Sequence, residues 1–328
     1  MIGRRKFVAL LGGGAAAWPV VAGAQQQPPA VIGFLSNLSP NPILRPLAAF
    51  RRALQEAGYI EGQNLAVEFR FAEGRNHRLA ELAADLVRRQ VAVIVATGGG
   101  LSALAAKAET GAIPIVFSTA TDPVRLGLVA SLNHPGGNAT GVFILANSLE
   151  AKRLGLLHEM VPRAARIALL VNPQAPGAES QFEEAQTAAR TLSQEIVAVK
   201  ASSETDLDAA FAILSHVGAQ ALLVAADPFF NSRREQLIAL ATRYMIPAIY
   251  EFREFPLAGG LMSYGTSLAR AYHQVGVYTA RILKGENPAN LPVVQPTMFE
   301  MVINLKTANA LGLTVPPALL ATADEVIE

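Results

Sequence analysis

The sequence predicts an α/β protein made of two doubly wound parallel-sheet lobes with a ligand cleft between them. Three observations predict it. Short apolar runs alternate with amphipathic stretches along most of the chain, the pattern of parallel strands covered by helices on both faces. The plan restarts after Val142, so two halves repeat one design without evident sequence identity. The apolar runs also end in small hydroxyl, amide or acidic residues, and open α/β sheets hold ligands outside the carboxyl ends of their strands. Size agrees: 328 residues exceed the usual single domain, and 51% apolar against 16% charged residues suits large buried sheets.

In the first half, 31–35 is an apolar strand that ends at Ser36-Asn37. An amphipathic helix over 45–57 stops at Gly58. The alternating run 64–71 is a strand, 78–89 a helix, and 91–95 a buried strand running up to Thr97. Gly98-Gly99-Gly100 opens a helix over 101–109. The run 113–117 is a fourth strand, ending in Ser118 and Thr119. A helix is expected over 125–132 with Asp122 as its cap, then a turn at Pro135-Gly136-Gly137-Asn138 and a further apolar segment from Ala139.

The second half reads the same way. A helix over 149–160 closes at Val161-Pro162, and a strand over 166–171 ends at Asn172-Pro173. Helix 179–192, alternating strand 195–199 and helix 205–214 follow. Strand 221–224 leads to Asp227, helix 233–244 comes next, and strand 247–250 ends at Glu251. The tail from Leu311 is expected to pack as a C-terminal extension.

Composition removes several function classes. Lys plus Arg total 27 against 26 Asp plus Glu, so there is no electrostatic case for nucleic acid or an anionic membrane surface. There is no cysteine, which excludes disulfides, thiolate metal sites and cysteine nucleophiles. His77, His134, His158, His216 and His273 are scattered without ligand spacing, and no metal is expected. No nucleophile elbow, P-loop or zinc-protease motif occurs, so no catalytic residue and no cofactor is assigned.

Residues 1–24 read as a signal peptide. Arg4-Arg5-Lys6 is a basic start, 7–17 an apolar stretch too short to span a membrane, and Ala22-Gly23-Ala24 a small-residue cleavage site. The Arg-Arg-Lys-Phe order suits the twin-arginine route, with general secretion as the alternative. No other stretch is apolar enough to cross a membrane. The mature chain is therefore expected in the periplasm.

The strand ends supply the candidate ligand residues: Ser36, Thr97, Gly98, Gly99, Ser118, Thr119, Thr140, Asn172, Asp227, Phe229, Tyr250 and Glu251. Backbone N–H groups at the glycine loop suit a ligand carboxylate, with a plain tight turn as the alternative. Gly98, Gly100 and Ala103 fit a loose dinucleotide pattern, but the loop follows the third strand and the next strand ends in Ser118, not an acid. Ser118, Thr119 and Thr140 are hydroxyl donors or turn-formers, and Asp122 is read as a cap. Asp227 suits a ligand ammonium with Phe229 and Phe230 as an aromatic wall; the alternative is a cap with two core rings. Tyr250, Glu251 and Tyr264 are placed near the cleft, and Asn172 and Glu179 are either polar contacts or turn residues.

Several motifs resemble one family. They are Ile113-Pro114-Ile115-Val116-Phe117, Thr121-Asp122-Pro123-Val124, and Pro135-Gly136-Gly137-Asn138 with Thr140-Gly141-Val142. Leu283-Lys284-Gly285-Glu286-Asn287-Pro288, Leu291-Pro292-Val293 and Ile303-Asn304-Leu305-Lys306-Thr307-Ala308 continue them. Together, roughly from Val31 onward, they resemble the TrpX-type substrate-binding proteins of ABC transporters. The resemblance implies a type I periplasmic binding-protein fold, with lobes at 30–144 plus 266–290 and at 145–265 plus 291–328. Crossing segments are implied near 143–147, 264–268 and 291–298, and Asp227 as a ligand contact. It further implies a monomer that binds a small-molecule ligand, an ABC permease as partner, and no enzyme activity. The ligand is expected to be an amino acid, aromatic ones included, or a related carboxylate; the segment 250–254 departs from the family pattern. Two alternatives stay open: a sensor module for a membrane receptor, and an enzyme using Asp122, Asp227 or Glu251.

Overall fold

A computed structural model describes residues 28–144 and 149–328. The signal-peptide reading of 1–24 and most of the crossing at 143–147 lie outside the described residues.

The first sheet contains β1 (Ala30–Ser36), β2 (Leu65–Phe71), β3 (Val93–Thr97), β4 (Ile115–Thr119) and β5 (Ala139–Phe143) in the order β2-β1-β3-β4-β5. Every pairing is parallel. All five residues of β3, β4 and β5 are buried, as expected of central strands covered on both faces. Helices α1 (Leu44–Glu56), α2 (Leu79–Arg88) and α3 (Gly100–Glu109) connect them. In α1, Leu47, Phe50 and Leu54 recur at helical spacing and are buried. The tightest point of the sheet is Gly141, opposite Phe117, where a Cβ would lie 2.1 Å from the Phe117 carbonyl oxygen.

The second sheet is formed by the rest of the chain. Its elements are α4 (Glu150–Met160), β6 (Arg166–Val171), α5 (Ala178–Thr191), β7 (Glu195–Lys200), α6 (Glu204–His216) and β8 (Ala221–Val224). Next come α7 (Pro228–Ser232), α8 (Arg234–Arg243), β9 (Ala248–Tyr250), α9 (Glu254–Leu257) and β10 (Met262–Thr266). Helix α10 (Leu268–Leu283) returns to the first sheet, and β11 (Phe299–Asn304), α11 (Leu305–Ala310), α12 (Pro317–Thr322) and β12 (Glu325–Ile327) finish the second. The order is β12-β11-β10-β9-β8-β6-β7. Pairing is parallel except between β10 and β11.

Three features depart from the sequence reading. The stretch 125–132 forms turns, not a helix. Asp122 Oδ1 accepts from the N–H groups of Val124 and Arg125 at 2.8 and 3.3 Å, and Lys107 Nζ donates to the carbonyls of Gly127 and Leu128 at 2.7 and 2.9 Å. A lysine thus takes carbonyls that a helix would have used. The helix expected at 233–244 is α8, and a short helix the sequence reading did not assign, α7, precedes it, capped by Asp227 and started by Pro228. After β10 the chain turns to the first lobe at Ser267. Finally, 291–294 belongs with the first sheet, not the second: Val293 N donates to Leu132 O at 2.7 Å and Val294 N to Gly141 O at 2.9 Å. The lobe boundary expected at 291 therefore lies past Val294.

Candidate functional site

The two sheets present their strand ends to one cleft. One wall comes from the first lobe. Gly98 has φ +78°, and a Cβ there would sit 2.5 Å from Asn37 Oδ1. Gly99 has φ +115° and caps α3, so the helix N-terminus opens onto the cleft. Ser118 and Thr119 stand beside it at the tip of β4. Thr119 Oγ1 is held by its own turn, accepting from Thr121 N at 3.0 Å and donating to Thr121 O at 3.1 Å.

The opposite wall comes from the second lobe. Asp227 follows β8, is 5% exposed, and its Oδ1 accepts from Asn172 Nδ2 at 3.1 Å and Phe229 N at 2.8 Å. Asn172 is fixed in turn, its Oδ1 accepting from Gln174 N at 3.0 Å. Burial pushes the Asp227 carboxyl up to about 6, against the opposing pull of Asn172 and the N–H groups of Phe229 and Phe230. Glu251, beyond β9, is 4% exposed. Burial, with Asp227, Glu150 and Glu254 adding to it and Arg153 opposing, holds its carboxyl well above the usual range. Behind it, Arg153 and Glu150 form a fully buried ion pair on α4. No Lys, Arg or His lines the cleft among the described residues.

Of the candidate residues, Gly98, Gly99, Ser118, Thr119, Asn172, Asp227, Phe229 and Glu251 line the cleft together. Ser36, Thr97, Thr140 and Tyr250 do not. Ser36 Oγ accepts from Leu38 N at 3.2 Å and lies under the Gly98 turn. Thr97 is fully buried next to the Tyr272 hydroxyl. Thr140 lies within β5 and donates to Leu291 O at 2.6 Å, tying the 291–294 segment to the sheet. Tyr250 points away from the cleft and stacks on Phe255 with ring centroids 4.3 Å apart, because side chains alternate along a strand and Glu251 takes the cleft side. Phe230 is core, and Glu179 is exposed on the first turn of α5. Tyr264 stacks on Phe299.

The sequence reading missed Asn231, Leu268 and Tyr272, all in the lining, which also holds Phe252. Leu268 and Tyr272 stand four residues apart on one face of α10, a spacing that was visible once that helix was recognised. The lobes meet directly here: a Cβ on Gly99 would lie 3.0 Å from Pro228 Cγ of the opposite lobe.

A family model described as ABC transporter substrate binding protein matches residues 31–327. The chain belongs to this family. A tyrosine-binding protein of Clostridioides difficile (strain R20291) is 28% identical over 281 residues, 85% of this chain and 80% of that one. A conserved domain protein of Vibrio cholerae superposes with TM-score 0.84 at 26% identity, covering 90% of this chain and 99% of that one. An ABC domain of Streptococcus pneumonia in complex with L-Trp superposes with TM-score 0.83 at 24% identity, over 91% of this chain and all of that one. The family and the tyrosine-binding relative are solute-binding proteins, not enzymes, and the two solved structures share the two-lobed fold described above. Among the described residues, no helix is long and apolar enough to cross a membrane.

Proposed function

We propose that this ABC-transporter substrate-binding protein captures one small amino acid with an aromatic or branched side chain between its lobes. One observation carries the reading: the two walls have opposite chemistry. The first wall offers the α3 N-terminus and the Ser118 hydroxyl; the second offers buried acids, with no basic side chain in the lining among the described residues. A helix N-terminus carries roughly half a positive charge, which suits a carboxylate. Asp227 suits the ammonium. Phe229, Phe252, Leu268 and Tyr272 give the side chain an apolar bed. Binding of tyrosine and of L-Trp by relatives supports this class.

The rest of the reading follows from the sequence. The features of 1–24 support export to the periplasm by the twin-arginine or general route. The loaded protein, a monomer, closes about its crossing segments and hands the ligand to an ABC permease.

Thermal melting against the common amino acids tests this. A ligand at a hundred times its Kd adds about 2.7 kcal/mol, enough to raise Tm by several degrees. L-Tyrosine, L-tryptophan or another amino acid of this kind should do so, while its amine-free and carboxylate-free analogues should not. A shift with the amine-free acid alone would defeat the reading.

A further inference from the structure

Two carboxylates, Asp227 and Glu251, follow the adjacent parallel strands β8 and β9 and open into the same cavity, each about 95% buried or more. The lining contains no cation among the described residues. The nearest base, Arg153, is fully buried and already bonded to Glu150. The charged groups around Glu251 are Glu150 and Arg153 on α4, Asp227 past β8, and Glu254 on α9, three acids to one base. Like charges this deeply buried do not both ionise. The donors decide which one does. Asp227 accepts from the Asn172 amide and from the first N–H groups of α7, and Glu251 has no matching set among the described residues.

We propose that Glu251 is held as a neutral carboxylic acid that donates a hydrogen bond to an oxygen of the ligand, leaving Asp227 as the single anion for the ligand's ammonium. The site then takes monoamine zwitterions and turns away dibasic amino acids and diamines. A second ammonium reaching Glu251 would meet an O–H and not an anion. The inference rests on the reading of the cleft as an amino-acid site, and it adds the ligand's charge class. The same device, an acid kept neutral by an apolar site so that it can donate, is used by enzymes.

Infrared difference spectra of the purified protein at pH 7, wild type minus Glu251→Gln, read the carbonyl stretch of a protonated carboxylic acid. The expected result is a band that belongs to Glu251 and shifts when L-tyrosine or L-tryptophan is added. Titrations with the same two amino acids should show Glu251→Met weakening binding tenfold or more. Glu251→Gln, which keeps the size and a donor, should restore it to within about threefold of wild type. Circular dichroism melting checks that both variants fold. Absence of the band overturns the proposal, as does tighter binding of L-lysine or 1,5-diaminopentane than of L-tyrosine. If the band stands but no amino acid binds, the ligand reading fails and the donor role fails with it, while the neutral acid survives.

Discussion

Asp227 is held in a place that opposes its charge. Its folded value of about 6 stands above the ordinary 3.8, so the folded protein binds this proton more tightly than the unfolded chain. The stability this proton contributes is fully present below about pH 4 and lost as pH rises through 6. A shift of that size is worth about 3 kcal/mol. Other acids tilt the opposite way: arginine side chains hold Asp85 low, and Ser202 holds Asp206 low. The contribution is therefore read as the difference between wild type and Asp227→Asn. Between pH 4 and 7, unliganded wild type should lose Tm relative to Asp227→Asn. An ammonium ligand should return it, so the ligand-induced shift in wild type should grow over the same window. Binding to Asp227→Asn should be weaker by about 2–5 kcal/mol, the cost of leaving a buried charge unpaired.

The residues that decide the site were only partly legible. Asp227 and Glu251 stood out as acids at the ends of apolar strands, and Asp227 proves to serve both readings, capping α7 while it lines the cleft. Tyr250 was misplaced because a strand end does not announce which side faces the cleft, and one residue reverses it. Thr140 was misplaced because it lies inside β5, where its hydroxyl serves a backbone carbonyl.

At the scale of elements, the buried strands were read well because burial on both faces leaves only apolar choices. Strand β10, Met-Ser-Tyr-Gly-Thr, lacks that run although four of its five residues are buried, so its small polar residues hid it as a strand. The 125–132 stretch has helical composition, but the pull of Lys107 on its carbonyls is a tertiary effect absent from local sequence. Two glycines test the packing. Gly141→Ala would drive a methyl into the Phe117 backbone, and the β4–β5 pair should lose about 3 kcal/mol or more in urea unfolding. Gly155, within α4, has open space around its missing Cβ. Gly155→Ala should instead gain about 0.5–1 kcal/mol through helix propensity.

For the whole molecule, the duplicated α/β plan was legible in the alternation of strands and helices, whereas the swap of partners at the end was expected only from the family resemblance. Helix α10 and the 291–294 segment return to the first lobe before β11 closes the second, so the chain crosses more than once between lobes that share a cleft. Crossings of this kind hold the two walls opposite each other, with donors on one side and acids on the other. On the proposed function, these walls close on a single zwitterion. Mass spectrometry of the protein purified without unfolding tests it most directly, in native mode for stoichiometry and after denaturation for the ligand's composition. The expected result is one ligand per chain, carrying one basic nitrogen and one carboxylate. A bound ligand with no basic nitrogen, or one with no carboxylate, would contradict it.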